Sequence, residues 1–290
     1  MPDLIRRLGS RFATAFKNPV WSSRVLSKVE FIQRAYEFCD RWGAPGSAAS
    51  DEPVASLEHD DGRLAAVFDA NRTGRGIWKW RHYFPIYERH FGKFVGKGVS
   101  ILEIGIYSGG SLRMWRSYFG DDCSVFGVDI QPECRAYEEP GTRVFIGDQA
   151  DREFWRRFKN EVPKLDVVID DGGHLPNQQI VTLEELLPHL RPGGVYVCED
   201  VHGLHNAFAA YTHGLADNMN HTALQREPGA EGKGLVSPAS PFQSAIRSMC
   251  FYPFAVVIEK ADEGTARFVA PRHGTEWQPF LDDKVFVGRK

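Results

Sequence analysis

The sequence has no surplus of positive charge: 35 lysines and arginines stand against 38 aspartates and glutamates, a net charge of -3 over 290 residues. With a pI near 6.4, the chain carries no overall field that would draw a nucleic-acid backbone, and no nucleic-acid partner is expected. It has no run of about 18 apolar residues, the length needed to cross a bilayer as a helix. Its basic opening, MPDLIRRLGSRFATAFKNP, lacks the uninterrupted apolar stretch of a secretory signal, so neither a membrane partner nor export is expected. The five cysteines, Cys39, Cys123, Cys134, Cys198 and Cys250, are odd in number and include no Cys-x-x-Cys pair. That argues against a disulfide framework and a zinc knuckle, and a reducing, cytoplasmic setting is the expectation. What is present is ordinary for a globular chain: 42% hydrophobic and 25% charged residues. A chain of this length buries roughly 75% of its unfolded surface on folding, enough for one substantial domain and an appendage.

Residues 1–42 read as helical, because Phe31, Ala35 and Phe38 recur at helical spacing while Glu30, Arg34 and Glu37 fill the other face. The stretch from Gly43 to Ser56, GAPGSAASDEPVAS, has the composition of a linker. The expected organisation is therefore an N-terminal helical segment and linker over 1–72, then one domain over 73–290. That domain opens with an aromatic run, IWKWRHYFPIYERHF, in which Trp80, Phe84, Tyr87 and Phe91 face one way on a helix begun at Pro85 and pack as a cover on the rest of the domain. After Gly98 the period changes. Residues 99–106, 124–130, 143–148, 165–171 and 194–200 are short Val- and Ile-rich runs ending in an acid or a glycine. Helical patterns lie between them at 111–119, 152–162 and 176–190. Such alternation predicts an α/β fold, a Rossmann-like parallel sheet with helices on both faces. FAVVIEK (254–260) and TARFVA (265–270) are expected to add a closing antiparallel strand pair. The connection from His205 to about Pro241 has no strong period and reads as a lid over the carboxyl edge of the sheet.

In open α/β sheets ligands bind beyond the carboxyl ends of the strands, so the strand-end acids are expected to share one crevice. The first strand leads into Glu103-Ile104-Gly105-Ile106-Tyr107-Ser108-Gly109-Gly110. These glycines let the backbone approach a ligand at a helix N-terminus, although a simple tight turn would use them equally. The loop has no GK[ST], and three residues separate Gly105 from Gly109, so pyrophosphate is disfavoured as its ligand. Asp129 closes the second strand, where a carboxylate can accept from ribose hydroxyls, and Asp148-Gln149 follow the third. A further cluster, Asp170-Asp171-Gly172-Gly173-His174, precedes Glu199-Asp200 by one strand. Carboxylates at adjacent strand ends repel unless a cation or shared protons neutralise them, and an all-oxygen set suits Mg²⁺ better than zinc. Glu199 and Asp200 reach one ion only if the chain turns there, since neighbours on a strand point oppositely.

The ordered strings ILEIGIYSGGSLRMW, FGVDI, GDQAD, DVVIDDGGH and LRPGGVYVCEDVH resemble a class I S-adenosylmethionine-dependent methyltransferase. They are similar in particular to the Mg-dependent macrolide sugar O-methyltransferases and their cephalosporin-hydroxylase-like relatives, over residues 73–205. The resemblance implies S-adenosyl-L-methionine and Mg²⁺, or another divalent cation, as cofactors. It implies cofactor contacts from Glu103, Gly105, Tyr107, Ser108, Gly109, Asp129, Asp148, Gln149 and Asp170. It places the metal on Asp171, Glu199 and Asp200, and makes His174 the general base toward a sugar or glycoside hydroxyl of a natural product. Two alternatives share the pocket: a hydroxylase-like enzyme, told apart by a product mass of +16 rather than +14, and a non-catalytic binding subunit. His202 and His205 could supplement the base or line the substrate entry but are read as solvated, and Trp80, Tyr83 and Trp277 could stack on a sugar ring but are read as core aromatics. The aromatic cover and the long connection would suit a homo-oligomer in which such segments complete a neighbour's site.

Overall fold

The computed structural model describes residues 19–42, 62–226 and 234–276. The N-terminal 18 residues, the linker and Trp277 lie outside them. The chain divides into two compact units, residues 1–60 and 61–290. In the first, helix α1 (Pro19–Arg41) forms where the helical spacing predicts one, with Phe31 and Phe38 62% and 53% exposed.

The second unit begins earlier than the composition suggested. Helix α2 (Gly62–Ala70) precedes residue 73 and buries Leu64 and Ala65 in the same core as Phe84 and Tyr87. Glu88 Oε1 accepts from the Leu64 N–H at 2.7 Å. The boundary therefore falls at 60/61 rather than 72/73. One 3₁₀ turn (Arg81–Tyr83) leads into α3 (Phe84–Phe91), with Pro85 in its first turn, where no backbone hydrogen bond is forfeited. The remaining helices are α4 (Gly110–Phe119), α5 (Arg152–Glu161), α6 (Pro176–Leu186), α7 (Ala207–Met219) and α8 (Pro241–Ala245).

Seven strands form the main sheet: β1 (Ser100–Ile104), β2 (Ser124–Asp129), β3 (Thr142–Ile146), β4 (Leu165–Asp170), β5 (Leu190–Cys198), β8 (Ile246–Tyr252) and β9 (Ala255–Lys260). Their order is β3-β2-β1-β4-β5-β9-β8, parallel from β3 to β5 and antiparallel beyond. Alternate residues feed two cores, as the pleat requires. Ile101, Val167 and Val195 face Leu112, Trp115 and Phe119 of α4, together with Phe84 and Tyr87 of α3. Leu102, Val168 and Tyr196 face Trp155 and Phe158 of α5 and Leu183 and Leu186 of α6. The chain direction of strand addition reverses between β1 and β4, which opens a crevice at their carboxyl ends.

Two expectations change. The closing antiparallel pair exists, but β9 pairs with β8, not with residues 265–270. The β8 sequence IRSMCFY is a half-exposed edge strand whose apolar pattern is too weak to stand out, and Pro253-Phe254 form the tight turn joining it to β9. Strand β10 (Arg267–Pro271) instead joins β7 (Gly234–Pro238) and β6 (Gln225–Arg226) in a separate three-stranded antiparallel sheet. The connection after His205 is largely regular: Asn206 caps α7 by accepting from Phe208 and Ala209 N–H groups. Phe208 is buried in the α5–α6 face. None of the described residues of 205–241 lines the crevice, so within them there is no lid over it. No helix among the described residues is long and apolar enough to cross a membrane.

Candidate active site

The carboxyl ends of β1, β2, β4 and β5, with the segment before α3, enclose a cavity of about 1080 Å³. A pocket for one small ligand typically measures about 300–1,000 Å³, so this cavity stands at the upper end of that range. Its β1 wall depends on Gly105. This residue has φ +80°, and a Cβ there would lie 2.0 Å from the Asp171 carbonyl oxygen, so the loops after β1 and β4 touch only because the side chain is absent.

Of the residues expected around the cofactor, Gly105, Tyr107, Ser108, Asp129, Asp148 and Gln149 line the cavity, whereas Glu103, Gly109 and Asp170 do not. Asp129 Oδ2 accepts from the Ile106 and Tyr107 N–H groups, and Oδ1 from that of Gln131. Three of its roughly four lone-pair sites are thus used in shaping the loop, and about one is left for a ligand. Both N–H groups of the Gln149 amide are used, donating to Asp170 and Thr182, while its oxygen accepts from the Gly173 N–H and keeps one lone pair. Asp170 also accepts from Tyr196 Oη at 2.9 Å; burial pushes its carboxyl up to about 6 despite these hydrogen bonds. It joins strand ends rather than meeting a ligand. Gly109 caps α4 in the left-handed region.

Glu103 is 1% exposed and faces α4, where Ser111 Oγ donates to its Oε2 at 2.5 Å. Its Oε1 has no hydrogen bond, but the ammonium of Lys79 lies 3.1 Å away. The same Nζ donates to Asp171 Oδ2 at 2.7 Å and to Glu199 Oε2 at 3.1 Å. Glu199 Oε1 accepts from the buried Tyr87 hydroxyl at 2.6 Å. A lysine thus occupies the position between Asp171 and Glu199 that the sequence reading assigned to a metal, and Glu199 faces this internal network. Burial alone would lower the Lys79 amine, but the Asp171 and Glu199 carboxylates outweigh it and hold the amine well above its ordinary value.

The chain does turn at Asp200, at φ +52°, and so separates it from Glu199. Asp200 Oδ1 accepts from Trp80 Nε1 and from Tyr83 Oη, each at 2.9 Å. His174 Nε2 stands 3.5 Å from Asp200 Oδ2, and His202 Nε2 3.5 Å from Oδ1. Asp171, His174 and Asp200 each offer one ligating atom, all within 4.8 Å of one another. Tyr107 and His174, like Asp200, adopt positive φ at the cavity wall. Left-handed non-glycine residues cost free energy and concentrate at functional sites.

The sequence does not mark Lys79, Tyr87 and Ser111; Tyr83 is in the core, as expected, yet its hydroxyl reaches Asp200, whereas Trp80 is half-exposed at the cavity and also holds Asp200. No spacing motif marks Lys79, Trp80, Tyr83 and Tyr87, whose partners Asp171, Glu199 and Asp200 lie 92 to 120 residues away; Ser111 lies close in sequence to its partner Glu103.

Burial, opposed by Lys79 and reinforced by Asp171, pushes Glu199 up to about 8 from an ordinary 4.5. The native state then holds a proton that the unfolded chain releases, so this contribution to stability is complete below about pH 4.5 and is lost as pH rises through 8. The ligand-free protein is expected to melt at progressively lower temperature from pH 5 to pH 8, and Glu199→Gln should flatten that decline in a series of thermal scans.

Residues 102–201 match the methyltransferase domain family. The chain is 34% identical over 245 residues to the 8-demethyl-8-(2-methoxy-alpha-L-rhamnosyl)-tetracenomycin-C 3'-O-methyltransferase of Streptomyces olivaceus, covering 76% of this chain and 59% of that protein. It is 40% identical over 128 residues to the mycinamicin VI 2''-O-methyltransferase of Micromonospora griseorubida, covering 41% and 32%. Among solved structures, the MycE methyltransferase of the mycinamycin biosynthetic pathway, in complex with Mg and SAH, matches with a TM-score of 0.56 and 29% identity. That match covers 69% of this chain and 55% of that one. The chain therefore spans less than two thirds of the length of these relatives, from 32% to 59%. The strand order, the glycine loop after β1 and these likenesses identify residues 102–201 as a methyltransferase domain with the Rossmann-like fold.

Proposed function

We propose that the chain is an S-adenosylmethionine-dependent O-methyltransferase acting on a hydroxyl of a sugar or glycosylated small molecule. One observation carries this reading: the glycine loop and strand-end acids open into the same cavity as the Asp171–His174–Asp200 group. The named activities of the relatives, both of them O-methyl transfers to glycosylated natural products, support it.

Asp129 offers its remaining lone pair to a ribose hydroxyl, and the exposed Asp148 carboxylate, with the Gln149 oxygen beside it, suits an adenine amino group. Glu103 contributes from behind, by fixing Ser111 and Lys79. The donor set fits a hard divalent ion: Asp171 and Asp200 supply the carboxylates, with one imidazole in reach. Glu199 leaves the proposed ligand set, because it is not among the residues whose ligating atoms converge and its oxygens accept from Tyr87 and Lys79. When bound, the cofactor offers a methyl group on a sulfonium, and a divalent ion lowers the pKa of a hydroxyl it touches. His174 takes the hydroxyl proton; Asp200 beside it orients the ring and stabilises the imidazolium that results. A second assignment rests on the inclusion of His174 in the ligating group: His174 then holds the ion, and His202, on the other oxygen of Asp200, takes the proton.

Calorimetric titration with S-adenosylhomocysteine, with Mg²⁺ and again with EDTA, tests the proposal, with NAD as control. The expected result is binding of S-adenosylhomocysteine, no heat from NAD, and a Mg²⁺ heat that Asp171→Ala abolishes. NAD binding without S-adenosylhomocysteine binding would replace methyl transfer with a dehydrogenase chemistry.

A further inference from the structure

The segment Gly76–Trp80 inverts the usual partition of side chains. It is extended and alternates in burial, so Ile77 and Lys79 point one way and Trp78 and Trp80 the other. The lysine is the inward residue, its side chain 2% exposed among three carboxylates. The tryptophans are the outward ones, 87% and 49% exposed; Ile77 and Lys79 line the cavity too, so exposure is what sets the indoles apart. Large exposed apolar side chains beside a pocket, like buried charges, are the departures from ordinary partition that call for a functional reason.

Trp80 is held in place by its own polar tip. Its Nε1 donates to Asp200, and its ring lies 5.6 Å from that of Phe254 and 6.4 Å from that of His202, which are themselves 4.8 Å apart. An aromatic wall therefore stands directly beside the carboxylate and imidazoles of the candidate centre. A ligand matching both must present a flat apolar face and a row of hydroxyls within one ring's width. A sugar ring has that chemistry, with C–H bonds on one face and hydroxyls at its edge.

We propose that Trp78 and Trp80 form the acceptor platform, receiving the C–H face of a glycoside's sugar ring while Asp200 and His202 meet its hydroxyls; this rests on the O-methyltransferase reading. Lys79, paired with three acids, fixes the register of the segment and so keeps both indoles in their exposed positions. Trp78 is the residue to test, because none of the site's hydrogen bonds among the described residues runs through its side chain, whereas Trp80 holds Asp200.

The experiment measures binding of a panel of p-nitrophenyl glycosides, the α-L-rhamnoside among them, to the protein saturated with S-adenosylhomocysteine, with p-nitrophenol alone as control. At least one glycoside is expected to bind better than p-nitrophenol. Trp78→Ala should weaken it about three- to tenfold, the scale of one aromatic stacking contact, with S-adenosylhomocysteine affinity unchanged, and Trp78→Phe should restore most of it. Equal glycoside affinity in Trp78→Ala, or no glycoside binding while S-adenosylhomocysteine binds, overturns the platform alone. Failure to bind S-adenosylhomocysteine overturns the methyltransferase reading beneath it.

Discussion

Alanine in place of His174 is expected to lower turnover by about 10²- to 10⁴-fold, the range that one positioned general base contributes. The imidazole stands 3.5 Å from Asp200 Oδ2 at the cavity wall, half-open to solvent, and no described backbone strand depends on its side chain. Affinity for S-adenosylhomocysteine should therefore stay within about twofold of wild type, because the His174 side chain pairs with Asp200, whereas Asp129 pairs with the loop after β1. Mg²⁺ affinity, measured alongside, separates the two assignments. If it is retained, His174 acts as the base. If it falls together with turnover, His174 is a ligand, and His202→Ala becomes the variant that loses turnover with the ion still bound. Turnover unchanged in both variants would remove the histidines from the reaction.

Lys79→Met is expected to cost about 3–5 kcal/mol of stability, because it removes one partner of a buried charge network and leaves Glu103, Asp171 and Glu199 without their cation. For a domain of this size that is a fall on the order of 10 °C in melting temperature. At about pH 9, where Glu199 is ionised in the parent, the loss should shrink in the double variant Lys79→Met, Glu199→Gln, whose amide is neutral and can still accept from Tyr87. Equal destabilisation in the single and double variants would show that the methionine is misfitting by shape and that charge is not the cause. Thermal scans of the three proteins at one pH decide it.

The class of fold was legible because its signals are local. Each of the five parallel strands is a short apolar run, and each helix between them carries its own period, so element type follows from residues within a few positions of one another. The same holds for Gly105, whose need for a positive φ sits in a strand-to-helix turn. The edge of the sheet was less legible. Strand β8 is half-exposed and mixed in polarity, and its partner is decided by a two-residue turn at Pro253-Phe254 rather than by its own pattern. The helix α2 lies in a segment that composition alone assigned to the appendage, and only its packing against α3 assigns it to the second unit.

By itself the sequence determined that a Rossmann-like parallel sheet would bring acids and a glycine loop to one edge, because strand direction and crossover hand leave the carboxyl ends nowhere else to go. Tertiary structure decided which of those acids face the cavity. Glu103 and Asp170 do not line it, whereas the neighbours Glu199 and Asp200 both do, and a left-handed turn pairs one with Lys79 and Tyr87 and the other with His174. Lys79 itself carries no motif. Its role comes from being carried, by the packing of a segment about 90 to 120 residues distant, into a space where three carboxylates need one positive charge.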